Sequence, residues 1–146
     1  MENSKSYITG STRKAAILQE QKTDLTDVTF LVPLRIDSSE RKENADTLIK
    51  YTFQHFNTFF IVLEADATRK FYPEKEPEGF RHEFIEDTNE VFHRTKWINR
   101  LISMAKIPYV AVWDHDAIAH PEQVIEAGQN LRKGEAFRDF PFVVRV

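Results

Sequence analysis

Tyr109-Val110-Ala111-Val112-Trp113-Asp114-His115-Asp116 is a short apolar run that ends abruptly in two carboxylates one residue apart. An apolar run of this length, bounded by polar residues, reads as a buried strand of an α/β sheet. In open α/β sheets, ligands sit in the crevice outside the strand C-termini. Two acids on flexible backbone just past such an end can hold a hard divalent cation through oxygen ligands. A cation there is well placed to neutralise a bound diphosphate. The segment therefore suggests a metal-assisted nucleotide site.

Working outward, the chain supplies the rest of such a sheet. Val28 to Leu34 reads as an apolar strand whose Pro33 suits its end better than its middle. Arg35, Ile36 and Asp37 make a polar turn, and a helix follows from about Ser38 to His55. Asp37 and Glu40 have capping-box spacing, while Ala45, Leu48, Ile49, Thr52, Phe53 and Phe56 mark one face at helical period. Thr58 to Leu63 is a second strand, followed by the acids Glu64 and Asp66. Ala67 to Gly79, with Pro73, Pro77 and many charges, reads as a long surface loop, a kind that is often functional or mobile.

His82 to Glu86 is a short, weaker strand, and Phe92 to about Lys106 a helix with Trp97, Ile98, Leu101, Ile102 and Ala105 inward. After the opening strand, Pro121 starts a third helix that Gly134 stops. Phe137 to Val146 reads as a final strand. The order implies an α/β fold: a three-layer, Rossmann-like, mostly parallel sheet with helices on both faces. Residues 1–27 read as a polar, partly flexible leader, with one short helix at Ala15 to Leu18. Residues 28–146 read as the domain.

Composition narrows the function classes. At 146 residues, one domain is the simplest division. Twelve Phe against two Met suggest a core built on rings. A net charge of −3 gives no electrostatic footprint for nucleic acid. With no cysteine, disulfides, zinc-thiolate sites and thiol nucleophiles are excluded. No run approaches a membrane span and the N-terminus lacks the apolar core of a secretory signal, so a soluble, cytoplasmic chain is expected. Four scattered Gly remove the P-loop and the dinucleotide fingerprint, and no Gly-x-Ser-x-Gly elbow is present.

Phosphate would then be held by a metal, by arginine, or by both. Arg35 lies just beyond the first strand and Arg94 opens the helix after Asp87, both on the side of Asp114 and Asp116. Arginine presents a planar fork suited to phosphate oxygens. The blander alternative is that each arginine pairs with Asp37 or Asp87. For the acid pair, it is a solvated turn or a cap for the Pro121 helix. Trp113 could fix the strand end by packing. If the strand persists, His115 points opposite to its neighbours; His120 falls in the N-cap region of the next helix, and His93 is expected to face solvent.

Three ordered segments carry a resemblance: Val32-Pro33-Leu34-Arg35, then Phe92-His93-Arg94-Thr95-Lys96-Trp97-Ile98-Asn99, then Asp114-His115-Asp116. Over residues 28–146 the chain resembles the GT-A glycosyltransferases, particularly the donor-binding half of the β-1,4-galactosyltransferase-like and chondroitin-polymerase-like groups. The resemblance implies a nucleotide-sugar donor, a UDP-hexose, bound with Mn2+ or Mg2+ for transfer of the sugar to a glycan acceptor. It implies that Pro33, Leu34 and Arg35 shape the nucleotide pocket, and that Phe92 and Arg94 contact the base and diphosphate. It further implies that Asp114 lies by the ribose and the metal, that Asp116 coordinates the metal, and that Glu64 or Asp66 stands where a base-recognising carboxylate is found.

Leu34 replaces the aromatic of the family's first segment and Thr95 the alanine of its second. The family's acceptor half, with its catalytic base, has no counterpart before Val146, so the catalytic residue is unassigned. A truncated donor-binding domain is expected, with a homodimer covering its open edge. Two other classes stand beside the enzyme: a non-catalytic nucleotide-sugar-binding or interaction module, and a phosphoacceptor receiver-like domain. The last expects an acidic pair after the first strand, where this chain has Leu34-Arg35.

Overall fold

A computed structural model describes residues 22–134 and 142–145, the last four through their backbone. The elements run β1 (Thr23–Leu34), α1 (Ser39–His55), β2 (Phe56–Asp66), β3 (Phe80–Glu86), α2 (Arg94–Met104), β4 (Tyr109–Val112), α3 (Pro121–Arg132) and β5 (Phe142–Arg145). They build one five-stranded sheet in the order β3-β2-β1-β4-β5. The β1–β2, β1–β4 and β2–β3 pairings are parallel, and β5 joins β4 antiparallel. The protein therefore has an α/β fold with a Rossmann-like, mostly parallel sheet.

Crossover handedness explains the layers. From β1 the chain moves through α1 to β2 on one side, and from β3 it returns through α2 to β4 on the other. Right-handed crossovers taken in opposite directions put their helices on opposite faces of the sheet. The packing agrees. Ala45, Leu48, Ile49 and Phe53 of α1 share one core cluster with Val124, Ala127 and Leu131 of α3. Trp97 and Leu101 of α2 belong to a second cluster.

Strand alternation divides the residues between the two clusters. Phe30, Val32 and Leu34 of β1 and Phe60 and Val62 of β2 face the α1 side, whereas Leu31, Ile61, Leu63 and Ala65 face α2. The expected ring core is present. Phe30 and Phe60 stack at 5.9 Å between centroids, Phe60 meets Phe53 at 6.0 Å and Phe80 at 6.1 Å, and Phe30 meets Trp113 edge-on at 5.2 Å. Each such pair contributes about 0.5–1.5 kcal/mol beyond its area burial.

Several boundaries differ from the sequence reading, each for a local reason. β1 begins at Thr23 rather than Val28, because Leu25 is buried in the α1-side core and Leu25 pairs with Thr58. The leader expected over 1–27 therefore ends inside a strand, and residues 1–21, with the Ala15–Leu18 helix, lie outside the described residues. Phe56 is the first residue of β2 and not part of the helical face, although it fills the same core. Ser38, not Asp37, caps α1, its hydroxyl accepting from the Arg41 amide at 3.1 Å. Asp37 is instead paired with the Arg41 guanidinium at 3.0 Å.

The loop between β2 and β3 runs over the surface, as expected, but is anchored to the core at one point. Phe71 is fully buried, and the Glu64 carboxylate accepts from the amides of Lys70 at 2.7 Å and Phe71 at 3.1 Å. Gly79 closes the loop at φ +95°, where an added Cβ would meet the Thr58 carbonyl oxygen at 2.5 Å. Further on, Gly134 ends α3 at φ +88°, as expected of a helix stop. Of the expected last strand, 142–145 is present, and 137–141 and Val146 lie outside the described residues.

Candidate functional site

The sheet order puts the topological switch at β1 and β4, whose neighbours are reached by crossovers in opposite directions. The crevice at their C-terminal ends is where α/β sheets of this kind take ligands. Arg35-Ile36-Asp37 leave β1 there, and Trp113-Asp114-His115-Asp116 leave β4.

Trp113 makes the end of β4 rigid. Its amide donates to the Leu31 carbonyl at 2.9 Å, extending the β1–β4 ladder by one residue. Its indole Nε1 donates to the Ala117 carbonyl at 2.6 Å, and the Ala117 amide donates to the Asp114 carbonyl at 3.1 Å. The turn holding the acids is thus tied at both ends. Alternation then sends successive side chains to opposite faces. Ala111 and Trp113 belong to the α1-side core. Asp114 emerges toward α2, where Arg94 Nη2 donates to its Oδ1 at 2.5 Å.

His115 takes the other face. It is half-buried and lies in the field of Asp37 and Arg41 at the start of α1. Burial holds its imidazole below the ordinary histidine value, against the opposing pull of Asp116, so it is neutral at neutral pH. Its Nε2 is 4.0 Å from Asp116 Oδ2. The carboxylate side chains of Asp114 and Asp116 remain 55% and 58% exposed.

Arg35 is built in differently. Its Nε donates to the Ala65 carbonyl at 2.7 Å, its Nη1 to the Asn89 carbonyl at 2.8 Å, and its Nη2 to Asp87 Oδ2 at 3.1 Å. The guanidinium also lies 5.3 Å from the centroid of the Phe92 ring. Asp87 is buried, and its Oδ1 accepts from the Asn89 amide at 3.1 Å and from Asn89 Nδ2 at 2.8 Å. The Asn89 backbone amide, assisted by its side chain and by Arg35, holds the Asp87 carboxyl below the ordinary range. Arg35 therefore ties the end of β2 to the turn that leads into α2. Of the two pairings open to it, the one with Asp87 is made.

The remaining candidates fall into place around this strut. Pro33 and Leu34 are buried, Leu34 within the α1-side core. Asp66 ends β2 and is buried. Its Oδ1 accepts from the Ala67 amide at 2.7 Å, and Lys70 Nζ approaches Oδ2 at 3.2 Å as a charge contact outside hydrogen-bond alignment. The Asp87 amide donates to the Asp66 carbonyl at 2.8 Å, so Arg35, Asp66, Asp87 and Phe92 form one cluster. Arg94 and Asp114 form a second, and Asp116 stands exposed on the same turn as Asp114. His120 caps α3, its Nδ1 accepting from the Glu122 amide at 3.2 Å, and His93 is exposed.

Sequence reasoning did not foresee the role of Glu64. It is fully buried with its Oε1 at 3.0 Å from His82 Nε2. Val62 pairs with His82 across β2 and β3, and Glu64 lies two residues further on the same face. Only that register brings the two side chains together.

Among the described residues no group of three or more His, Asp or Glu side chains is gathered to hold a metal ion. No described helix is long and apolar enough to cross a membrane. Compared with protein-family models and with curated proteins, the chain matches none.

Proposed function

We propose that the chain binds a nucleotide-sugar donor, of the UDP-hexose type, with a divalent cation at Asp114 and Asp116 and with Arg94 on the diphosphate. The reading rests on a resemblance in three short segments, joined to one observation that supports it. Arg94 and Asp114, from the second and third of those segments, meet at the switch-point edge of the sheet. Asp116 follows on the same exposed turn. The fold itself lends only analogy, because Rossmann-like sheets host many chemistries.

Asp114 and Asp116 would hold the Mn2+ or Mg2+ ion, which when bound supplies charge neutralisation on the diphosphate. The other residues act without it. Arg94 opens α2, a helix with no acidic residue in its first turn and no side-chain cap bond. Its first amides and its guanidinium both favour an anion there. An open cleft of about 540 Å³, lined by Asn89, His93, Arg94, Thr95 and Lys96, leaves room for one. Arg35 serves this reading as a positioning residue rather than a ligand, since its donors are taken by the protein.

A thermal-shift and calorimetry panel of UDP and UDP-sugars, with and without manganese, tests the proposal. Binding should require the metal and should be lost in Asp116→Ala. Equal affinity in Asp116→Ala would reject the assignment. Release of UDP over time in the presence of sugar acceptors separates a transferase from a binding module, for which the donor would stay intact.

A further inference from the structure

β3 lies at one edge of the sheet, and among the described residues no strand pairs with its outer side. Two bonds to β2 fix how its backbone is turned. The Phe60 amide donates to the Gly79 carbonyl at 3.0 Å, and the Asp87 amide to the Asp66 carbonyl at 2.8 Å. Backbone groups alternate along a strand, so Arg81, Glu83 and Ile85 also turn theirs toward β2. Phe80, His82, Phe84 and Glu86 turn theirs outward. Of these outer amides, only that of Phe80 has a partner among the described residues, the Pro77 carbonyl at 3.0 Å.

We infer that β3 pairs antiparallel with β3 of a second copy of this chain, about a two-fold axis at His82. An open row of amides and carbonyls is a template for another strand, and charges on an edge ordinarily keep strands off. Here the charges select the partner. Arg81 and Glu83 lie on the α2 face as an ion pair at 2.8 Å, with side chains 51% and 38% exposed. Pairing about His82 sets Arg81 opposite Glu83 of the other copy, and Glu83 opposite Arg81. Outward groups must meet outward groups, so the register shifts only in steps of two residues. One step in one direction sets Arg81 opposite Arg81, and one step in the other sets Glu83 opposite Glu83. Opposite charges directly across a pair stabilise it, and like charges destabilise it.

The favoured register also satisfies the backbone. His82 exchanges both its bonds with its copy, and the Phe84 amide meets the Phe80 carbonyl, the one outward group that Phe80 has left. On the other face Phe80 comes opposite Phe84. The His82 imidazole, bonded to Glu64 at 3.0 Å, is 8% exposed, so the two rings at the axis are already buried in their own chains. Such a contact is isologous and closes on itself. It does not depend on the donor reading.

Sedimentation equilibrium of the full chain over a wide concentration range, with amide hydrogen exchange, tests the pairing. The parent should dimerise as concentration rises, with slowed exchange at His82 and Phe84 in the dimer alone. Arg81→Glu sets acid opposite acid, and Glu83→Arg sets base opposite base. Each should weaken dimerisation about tenfold or more, since two-fold symmetry counts every altered pair twice. Mixed in equal amounts, the two variants restore opposite charges at both positions and should form a mixed dimer with the parent's affinity. That recovery also shows that both variants are folded. A parent that stays monomeric overturns the inference, as do variants that dimerise like the parent or a mixture that does not recover. Protection of the His82 and Phe84 amides in a monomer overturns it too, because another segment of the chain would then cover the edge.

Discussion

Arg94 Nη2 donates to Asp114 Oδ1 at 2.5 Å, joining the first residue of α2 to the turn beyond β4 across 20 positions of sequence. The contact follows from two rules acting together. Right-handed crossover sends α2 to one face of the sheet, and strand alternation points Asp114 to that same face. Its neighbour in sequence, His115, lies instead in the field of Asp37 and Arg41 at the start of α1.

Because both side chains of this pair are about half exposed, the contact contributes little to folding. Arg94→Ala should lower stability by less than about 1 kcal/mol while weakening UDP binding in the presence of manganese roughly tenfold or more. Urea denaturation beside calorimetry measures both. A large stability loss would make the pair a structural element instead.

Arg35→Lys should behave in the opposite way. Lysine keeps the charge but cannot reach Ala65, Asn89 and Asp87 at once, as the planar fork does. A destabilisation of about 1–3 kcal/mol is expected from the unsatisfied carbonyls, with faster proteolysis of the 87–93 turn. Any loss of nucleotide affinity should then come through disorder of the Arg94 segment. A variant as stable as the parent but unable to bind nucleotide would make Arg35 a direct ligand.

Glu64→Ala leaves the Lys70 and Phe71 amides without their acceptor inside the core and removes the partner of His82. A loss of about 3 kcal/mol is expected, with the 67–79 loop opening to protease before the rest of the chain. Glu64→Gln retains an acceptor oxygen and should lose less. Thermal denaturation with limited proteolysis gives the comparison, and a stable, protease-resistant Glu64→Ala would contradict the anchoring role.

Asp87 sets an acid limit on the same region. Its carboxyl is held below the ordinary range by the Asn89 amide first, then by the Asn89 side chain and Arg35, so the unfolded chain takes up this proton before the folded one. The contribution to stability is therefore complete above the ordinary aspartate value, about 3.9, and is lost as pH falls through the lower folded value. Asp27, lowered by its bond to Arg132, adds to the same trend. Asp87→Asn should be less stable than the parent at pH 7, with the two converging below about pH 4. Denaturation curves that stay parallel down to pH 2 would exclude this role.

The strand and helix succession was legible from local pattern. Continuous apolar runs gave β1, β2 and β4, Pro121 and Gly134 marked the ends of α3, and the order of elements gave the parallel sheet. These features depend on backbone conformation and burial within a few residues, which the sequence encodes directly. It also delivered Asp114 and Asp116 to a strand end. What each polar group does there was settled by contacts between distant segments. The register of β2 on β3 brought Glu64 to His82, and the loop that follows closed its amides onto the Glu64 carboxylate. The fold of the 87–93 turn gave Arg35 a full set of protein partners, and the opposite placement of α1 and α2 separated His115 from Asp114. Arginines 35 and 94 look alike along the chain. One is held by four protein acceptors and the other by one, because only the tertiary structure determines how many acceptors surround each guanidinium.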